Sequence, residues 1–368
     1  MPKLESSFLS LGIVADSPDI PDSVSSSHRL PTRPVNPPLA CAAGWSGVLG
    51  QAGTHGVASG ATAIYGDGDP LPDRLLVQGG TLLIGESADT GTSIVDVVAG
   101  RALFMHQAGA GCSFLYVGPN GGLSFENDTD ASGARLHHEG TLMLMHLDEQ
   151  MLSLGSLRGS GAVHLGKAVL ELGALGEHDV FNGSIADGCQ GGGLRKIGPG
   201  SLTLGGACLY RGNTRVEAGS LRIDGSLHGS TVVVAPGATL AGGGSIFKRC
   251  VIQPGGRLAP ASAGRALQLG RLYAQPDALL ELQLARRGFG DRIDAGILSL
   301  DGARLDLSGM PVAARTPLLG YARLEKRELR IGRLPDGLRR DQLRIEFEDH
   351  CAYLVVGQGG LAGCPTPR

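Results

Sequence analysis

From residue 42 onward the chain alternates apolar and polar positions in short bursts, most of them opened by glycine. The clearest are Gly200-Ser201-Leu202-Thr203-Leu204, Gly219-Ser220-Leu221-Arg222-Ile223, Gly237-Ala238-Thr239-Leu240 and Gly256-Arg257-Leu258. Alternation of this kind marks a strand with one buried face, here Leu202 and Leu204 inward and Ser201 and Thr203 outward. Looser copies lead back through Gly183, Gly161, Gly140, Gly122 and Gly100 to Gly80. From Gly80 to Gly256 this makes nine steps with a mean of about 20 residues, within the range of known solenoid repeats. A period of that length that carries strands predicts a solenoid, in which each unit buries its apolar face only against its neighbours. Leucine-rich repeats have this length but need an asparagine ladder, and propeller blades need about 40 residues. One coil of a parallel β-helix fits. The expected fold class is therefore all-β, and nine steps at about 4.8 Å extend about 43 Å.

The pattern also divides the chain. Residues 1–41 hold seven prolines and many serines and read as a leader without regular structure. Residues 42–279 carry the β-helix repeats. From Leu279 the rhythm loosens, as Leu279-Leu280-Glu281-Leu282-Gln283-Leu284 and Leu298-Ser299-Leu300 flank a charged stretch over 285–296. A solenoid end exposes unpaired backbone and needs a cap, so residues 280–356 are expected to form one. Residues 357–368 read as a frayed tail.

Composition agrees with turns rather than helices. Sixty of 368 residues are glycine, about 16%, and each interior glycine costs a helix about 1 kcal/mol relative to alanine. The net charge of −3 gives no pull toward nucleic acid. Basic residues gather between Arg315 and Arg344, but Glu325, Glu328, Asp336 and Asp341 are interleaved, which predicts a solvated mixed face. No apolar run reaches transmembrane length, and Glu5, Ser10 and Gly12 make the start a poor signal peptide. The seven cysteines, at 41, 112, 189, 208, 250, 351 and 364, contain no C-x-x-C pair, which argues against a zinc or redox motif and leaves the redox compartment open.

Several phrases carry residue types that could do chemistry, each beside a structural reading. Asp89-Thr90-Gly91 spells an aspartic-protease loop, but that dyad needs a second copy, so a coil corner is expected. Gly53-Thr54-His55-Gly56 resembles the histidine segment of a subtilase without the matching nucleophile phrase. Asn127-Asp128-Thr129-Asp130 could supply paired carboxylates for glycan hydrolysis, yet reads as a polar loop. His137-His138-Glu139 and His146 are metal-ligand types, but neighbouring histidines on a strand face opposite ways. Asp67-x-Asp69 is too short for a calcium loop, and Pro119-Asn120-Gly121 is a good turn. No catalytic, cofactor-binding or metal-binding residue is assigned, and no cofactor is expected.

The stretch from 181 to 307 resembles the passenger-associated repeat of bacterial autotransporters, the self-translocating secreted proteins of Gram-negative cells. Gly192, Gly193, Leu194, Lys196, Gly198, Gly200, Leu202, Leu204 and Gly206 match its first phrase; Tyr210, Gly212, Thr214, Val216, Gly219 and Leu221 match its second. The resemblance implies a right-handed parallel β-helix at the cell surface or released from it. It also implies an autochaperone-like role for residues 280–356 and an adhesive or structural function without catalysis. The partner it implies is a host-surface or extracellular-matrix ligand. An alternative is the stalk of an enzyme-bearing autotransporter of serine-protease type; a β-helical polysaccharide-active enzyme is a third reading. The family's translocator barrel is not expected within this chain, since residues 357–368 leave no room for its strands.

Overall fold

The computed structural model describes residues 53–357 except 146, 148–149, 261–264, 285–289, 312 and 336. The chain divides into Met1–Ala40 and Cys41–Arg368, and every described residue belongs to the second unit. The leader expected over residues 1–41 and the tail from 358 onward lie outside the described residues.

The described chain is a parallel β-solenoid of about 12 turns, with no α-helix. Its rungs run over three faces. In one coil, Gly193–Lys196, Ser201–Leu204 and Ala207–Cys208 occupy the faces in turn, and Thr214–Val216, Ser220–Ile223 and Ser226–Leu227 repeat the order one rung on. Where corners are tight, a single strand such as Arg74–Ile84, Ile94–Phe104 or Phe114–Glu126 bends across two faces.

The register follows from the alternation. Ser201, Ser220, Thr239 and Arg257 stack on the outside, while Leu202, Leu221, Leu240 and Leu258 stack inside. A slip of one residue would turn every leucine to solvent, so the buried column fixes the pairing. Burying each such side chain is worth about 1.5–3 kcal/mol, which offsets the entropy of ordering the rung. Aromatics fill another face of the interior upstream, where Phe104 and Phe125 stack at 5.1 Å between ring centres.

The leucine column continues from Leu258 to Leu280, Leu305 and Ile331 in parallel register. Residues 280–356 therefore contain further rungs as well as a terminus of a different kind. Antiparallel pairing begins where Arg315–Ile331 meets Cys351–Val356, with Arg315 opposite Val355 and Thr316 opposite Leu354. Leu343–Phe347 then adds to the other side of Cys351–Val356. The mixed charges of the Arg315–Arg344 stretch fall largely on exposed positions of Arg315–Ile331 and of the segment that follows it.

Candidate functional site

The aspartates that resemble catalytic carboxylates serve as corners. One Asp89 carboxylate oxygen accepts the Gly91 N–H at 2.8 Å, and Asp130 accepts the Ser132 N–H at 2.9 Å. Asp89 pairs with Gly109 and Gly109 with Asp130, which puts the two aspartates two rungs apart on one corner. Two steps are about 9.6 Å, too far for the shared proton of an aspartic-protease dyad. Asp187 does the same work at another corner. Its carboxylate accepts N–H groups from Cys189 at 3.0 Å, Gly191 at 2.8 Å and Arg211 at 3.1 Å, tying one rung to the next. Burial pushes this carboxyl up, but the backbone donors outweigh it and hold it below its ordinary range.

The histidine pair separates across its strand. His138 is fully buried, its Nε2–H donating to the Ala162 carbonyl at 3.0 Å and its ring stacked on Phe181. Burial pushes it below the ordinary histidine range, against the opposing effect of the carbonyl bond. His137 faces outward beside Glu139, 3.5 Å away. His146 lies outside the described residues, and no cluster suited to a metal exists among those described. His55, on Thr54–Ala58, has its Nδ1 against the Tyr65 hydroxyl. Asp69 accepts the Gly66 N–H at 2.8 Å within its own turn.

One groove brings separate phrases together. A cleft of about 500 Å³ is lined by Asp67, Glu86, Ser87, His106, Gln107, Asn127 and Asp128. These residues are the same corner on four successive rungs, and Glu86, Ser87, His106, Gln107 and Asn127 all hold positive φ there. Local motifs single out Asp67, Asn127 and Asp128 but not Glu86 or His106. The signal for those two is the period itself, because positions 67, 86, 106 and 127 follow one another at one coil per step. The groove is open and polar, with several hydrogen-bonding groups but no paired acid and base.

The residues matched to the passenger repeat have interior duties. Lys196 sits in the inward column between Leu172 and Val216 and is 1% exposed. Its Nζ donates to the carbonyls of Ile197 at 2.6 Å, Gly198 at 3.0 Å and Ala218 at 3.3 Å, and so closes two corners from within. Burial pushes the ammonium down to about 8, partly opposed by the charge of Asp179. Tyr210 is equally buried, its hydroxyl 2.7 Å from Thr214 Oγ1, which lies 2.7 Å from Ser230 Oγ. The Tyr-x-Gly-x-Thr phrase thus encodes a hydrogen-bonded pair inside the tube, where an unpaired hydroxyl would be costly. Asp179 also points inward. It accepts from Ser156 Oγ at 2.7 Å and from Arg158 Nε at 2.8 Å. Cys208 and Cys250 are buried free thiols pushed up to about 12 by desolvation, which leaves them unreactive.

Comparison with known proteins agrees with this geometry. Residues 194–223, which include Lys196, Tyr210 and Thr214, match the family described as the passenger-associated transport repeat. An extracellular serine protease of Serratia marcescens is 33% identical over 123 residues, 32% of this chain and 11% of the relative. The adhesin BmaC autotransporter of Brucella suis biovar 1 (strain 1330) is 34% identical over 118 residues, 30% of this chain and 4% of the relative. The chain thus spans a small part of either relative's length. The described chain is a parallel β-helix that carries an autotransporter passenger-associated repeat over residues 194–223 and resembles autotransporter relatives over about a third of its length.

Proposed function

We propose that this β-helix acts outside a Gram-negative cell, on its surface or released from it, in a structural and adhesive role and without catalysis of its own. One observation carries the reading: three of the groups that resemble parts of catalytic sets are engaged by the fold itself. Asp89 and Asp130 hold corner N–H groups, and His138 is bonded inside the tube. What such a solenoid offers a partner is outer surface repeated rung by rung, which suits an extended or flat target such as a host-surface or extracellular-matrix protein. The likeness to an adhesin supports this. The test is binding of the purified chain to immobilised collagen, laminin and cultured epithelial cells, beside a casein-cleavage assay. Saturable binding with intact casein is expected. Cleaved casein, or no saturable binding to any of these targets, overturns the reading.

The likeness to an extracellular serine protease favours a second reading, in which the same β-helix is the stalk of an enzyme. Coding DNA upstream of Met1 separates the two. An in-frame segment with a serine-protease triad supports the stalk, and its absence supports the first reading.

A further inference from the structure

The net charge of −3 conceals a strong polarity along the solenoid. From Thr54–Ala58 to Thr141–Met145 the chain carries ten acids and three bases. From Ser245–Ile252 to Leu343–Phe347 it carries eleven acids and eighteen bases, so the last rungs have a positive field whatever the total. One outer column there concentrates cations. Arg249, Arg271, Ile297 and Arg323 stand side by side on successive rungs. The residues that follow them, Cys250, Leu272, Leu298 and Leu324, pack into the core, and the three arginines are exposed on the opposite side. At about 4.8 Å per rung they span about 14 Å along the solenoid axis. A few rungs earlier the same face neutralises its cations: Arg195 lies 2.8 Å from Glu171, and Arg215 2.8 Å from Glu217. The adjoining outer column runs from these through Val233, Val251, Tyr273 and Ser299 to Lys326, which also has a carboxylate, Asp301 at 2.8 Å. Arg249, Arg271 and Arg323 make no ion pair among the described residues. The Arg249 guanidinium lies 5.2 Å from the Tyr273 ring centre, a contact that aims its charge without cancelling it. Like charges on adjacent strands repel, so Arg249 beside Arg271 costs stability that nothing in the fold returns.

A polar cleft adjoins this column. The residues just before it are Lys248, Gly270, Gly296 and Ala322, so the approach is open apart from one further cation. Gly296 and Ala322 also line a cleft of about 320 Å³ with Gln268, Arg292, Asp294 and His350. That volume is at the lower end of small-molecule pockets. Asp294 accepts from Gln268 Nε2 at 3.0 Å and from Arg292 Nε at 2.7 Å, and each oxygen keeps a lone pair for a hydroxyl donor. The two features together select a ligand. Guanidinium groups hold oxyanions through charge-assisted hydrogen bonds, while the Asp294 carboxylate admits hydroxyls and repels anions. A sugar chain bearing sulfate groups supplies both kinds of group. A nucleic-acid strand needs free aromatic faces for its bases, and Tyr273 already lies beneath Arg249. A lipid surface is flat and has no hydroxylated chain to enter the cleft. A column one residue wide, running along the axis, suits a single extended polymer.

We infer that this corner binds a sulfated polysaccharide, with sulfates on Arg249, Arg271 and Arg323 and sugar hydroxyls in the cleft of Gln268, Asp294 and His350. The inference rests on the proposed adhesive role only for where such a chain is met. The test is fluorescence anisotropy of labelled heparin with the full chain at pH 7.5 and physiological ionic strength. Saturable binding that weakens as salt rises is expected. Combining Arg249→Ser, Arg271→Ser and Arg323→Ser should weaken it at least tenfold, with unchanged β circular dichroism and a urea midpoint no lower than the parent's. Combining Arg101→Ser, Arg195→Ser and Arg215→Ser removes the same charge elsewhere and should leave binding close to the parent's. Gln268→Leu, with every arginine intact, should weaken it about fivefold, the worth of one hydrogen bond. No saturable heparin binding, an equal loss in the second triple variant, a lowered midpoint in the first, or equal binding of desulfated heparin overturns the inference. So does tighter binding of single-stranded DNA or of phosphatidylglycerol vesicles, which would make a nucleic acid or a lipid surface the occupant. Binding to matrix proteins or cells without binding to heparin overturns this inference and leaves the adhesive reading standing; heparin binding without either does the reverse.

Discussion

Residues 193–260 and the terminus formed by Arg315–Ile331, Leu343–Phe347 and Cys351–Val356 both have to pair the backbone of exposed strands, and they do so by different means. In the repeat, each strand is covered on both edges by near-copies of itself, as Ser220–Ile223 lies between Ser201–Leu204 and Thr239–Gly242. The limiting factor is close approach, so the sequence concentrates glycine at corners and pairs its few interior polar groups, Lys196 with corner carbonyls and Tyr210, Thr214 and Ser230 with one another. At the terminus, Arg315–Ile331 pairs with Ile293–Gly309 on one side. Its first residues then meet an antiparallel strand, while residues 323–331 carry exposed Arg323, Glu325, Lys326, Arg327, Glu328 and Arg330. The repeat is specified by what fits inside it, and the end by what it must keep away. Charge on an edge strand is a recognised means of blocking further pairing.

The largest expected effect comes from the interior of the repeat. Lys196→Ala removes three hydrogen bonds from a buried cation and opens a cavity, at an expected cost of about 3–5 kcal/mol. Urea unfolding followed by circular dichroism measures it, and a loss under about 1 kcal/mol, the worth of a single ordinary hydrogen bond, would show that the corners close without the lysine. Comparison with Lys196→Met adds a pH signature. The ammonium is pushed down to about 8 in the fold against 10.5 in the unfolded chain, so between those values the unfolded state binds more protons. The parent's stability relative to Lys196→Met should therefore rise from pH 8 to 10.5. A flat difference over that window would place the folded lysine near its ordinary range.

Next is the corner itself. Gly219 holds φ of +65°, and a Cβ there would lie 2.3 Å from the Gly200 carbonyl oxygen and 2.5 Å from that of Gly198. Both the backbone conformation and the gap to the rung below exclude a branched side chain. Gly219→Val is expected to cost about 2–4 kcal/mol, whereas Ser220→Val, on an outward strand position, should change stability by no more than about 0.5 kcal/mol. Equal midpoints for the two variants would mean that corner spacing does not govern the stacking.

This contrast explains how much of the molecule the sequence discloses. The fold is legible because the corner constraint recurs once per coil and the leucines between corners keep strict alternation. The period carries past residue 280 less clearly, because the leucine column takes a longer step from Leu258 to Leu280 and a longer one again to Leu305. The longer loops dilute the signal, although the inward column is unbroken. Lys196, Thr214 and Asp179 are hidden for another reason: they occupy inward positions where alternation predicts apolar residues. Some of their partners, such as Ala218 for Lys196, Ser230 for Thr214 and Ser156 and Arg158 for Asp179, lie on neighbouring stretches of the coil that no linear reading aligns. The groove of Asp67, Glu86, His106 and Asp128 is hidden in the same way, its members lying a full coil apart along the chain and being unremarkable singly.

The smallest effect on stability, and the sharpest test of the terminus, lies in its charges. Glu325, Lys326 and Glu328 are exposed on Arg315–Ile331, where substitutions typically shift stability by about 0.5 kcal/mol or less. The surface pair of Lys326 with Asp301, at 2.8 Å, contributes little more than that. Replacing all three by valine should therefore leave the urea midpoint nearly unchanged. It would, however, convert a charged strand edge into an apolar one of high strand propensity, the pattern that recruits further strands. The expected result is concentration-dependent growth beyond the parent's mass in light scattering, suppressed when Lys326 alone is restored. If the triple variant keeps the parent's mass at every concentration, the charges are not what ends the stack, and the antiparallel strands suffice.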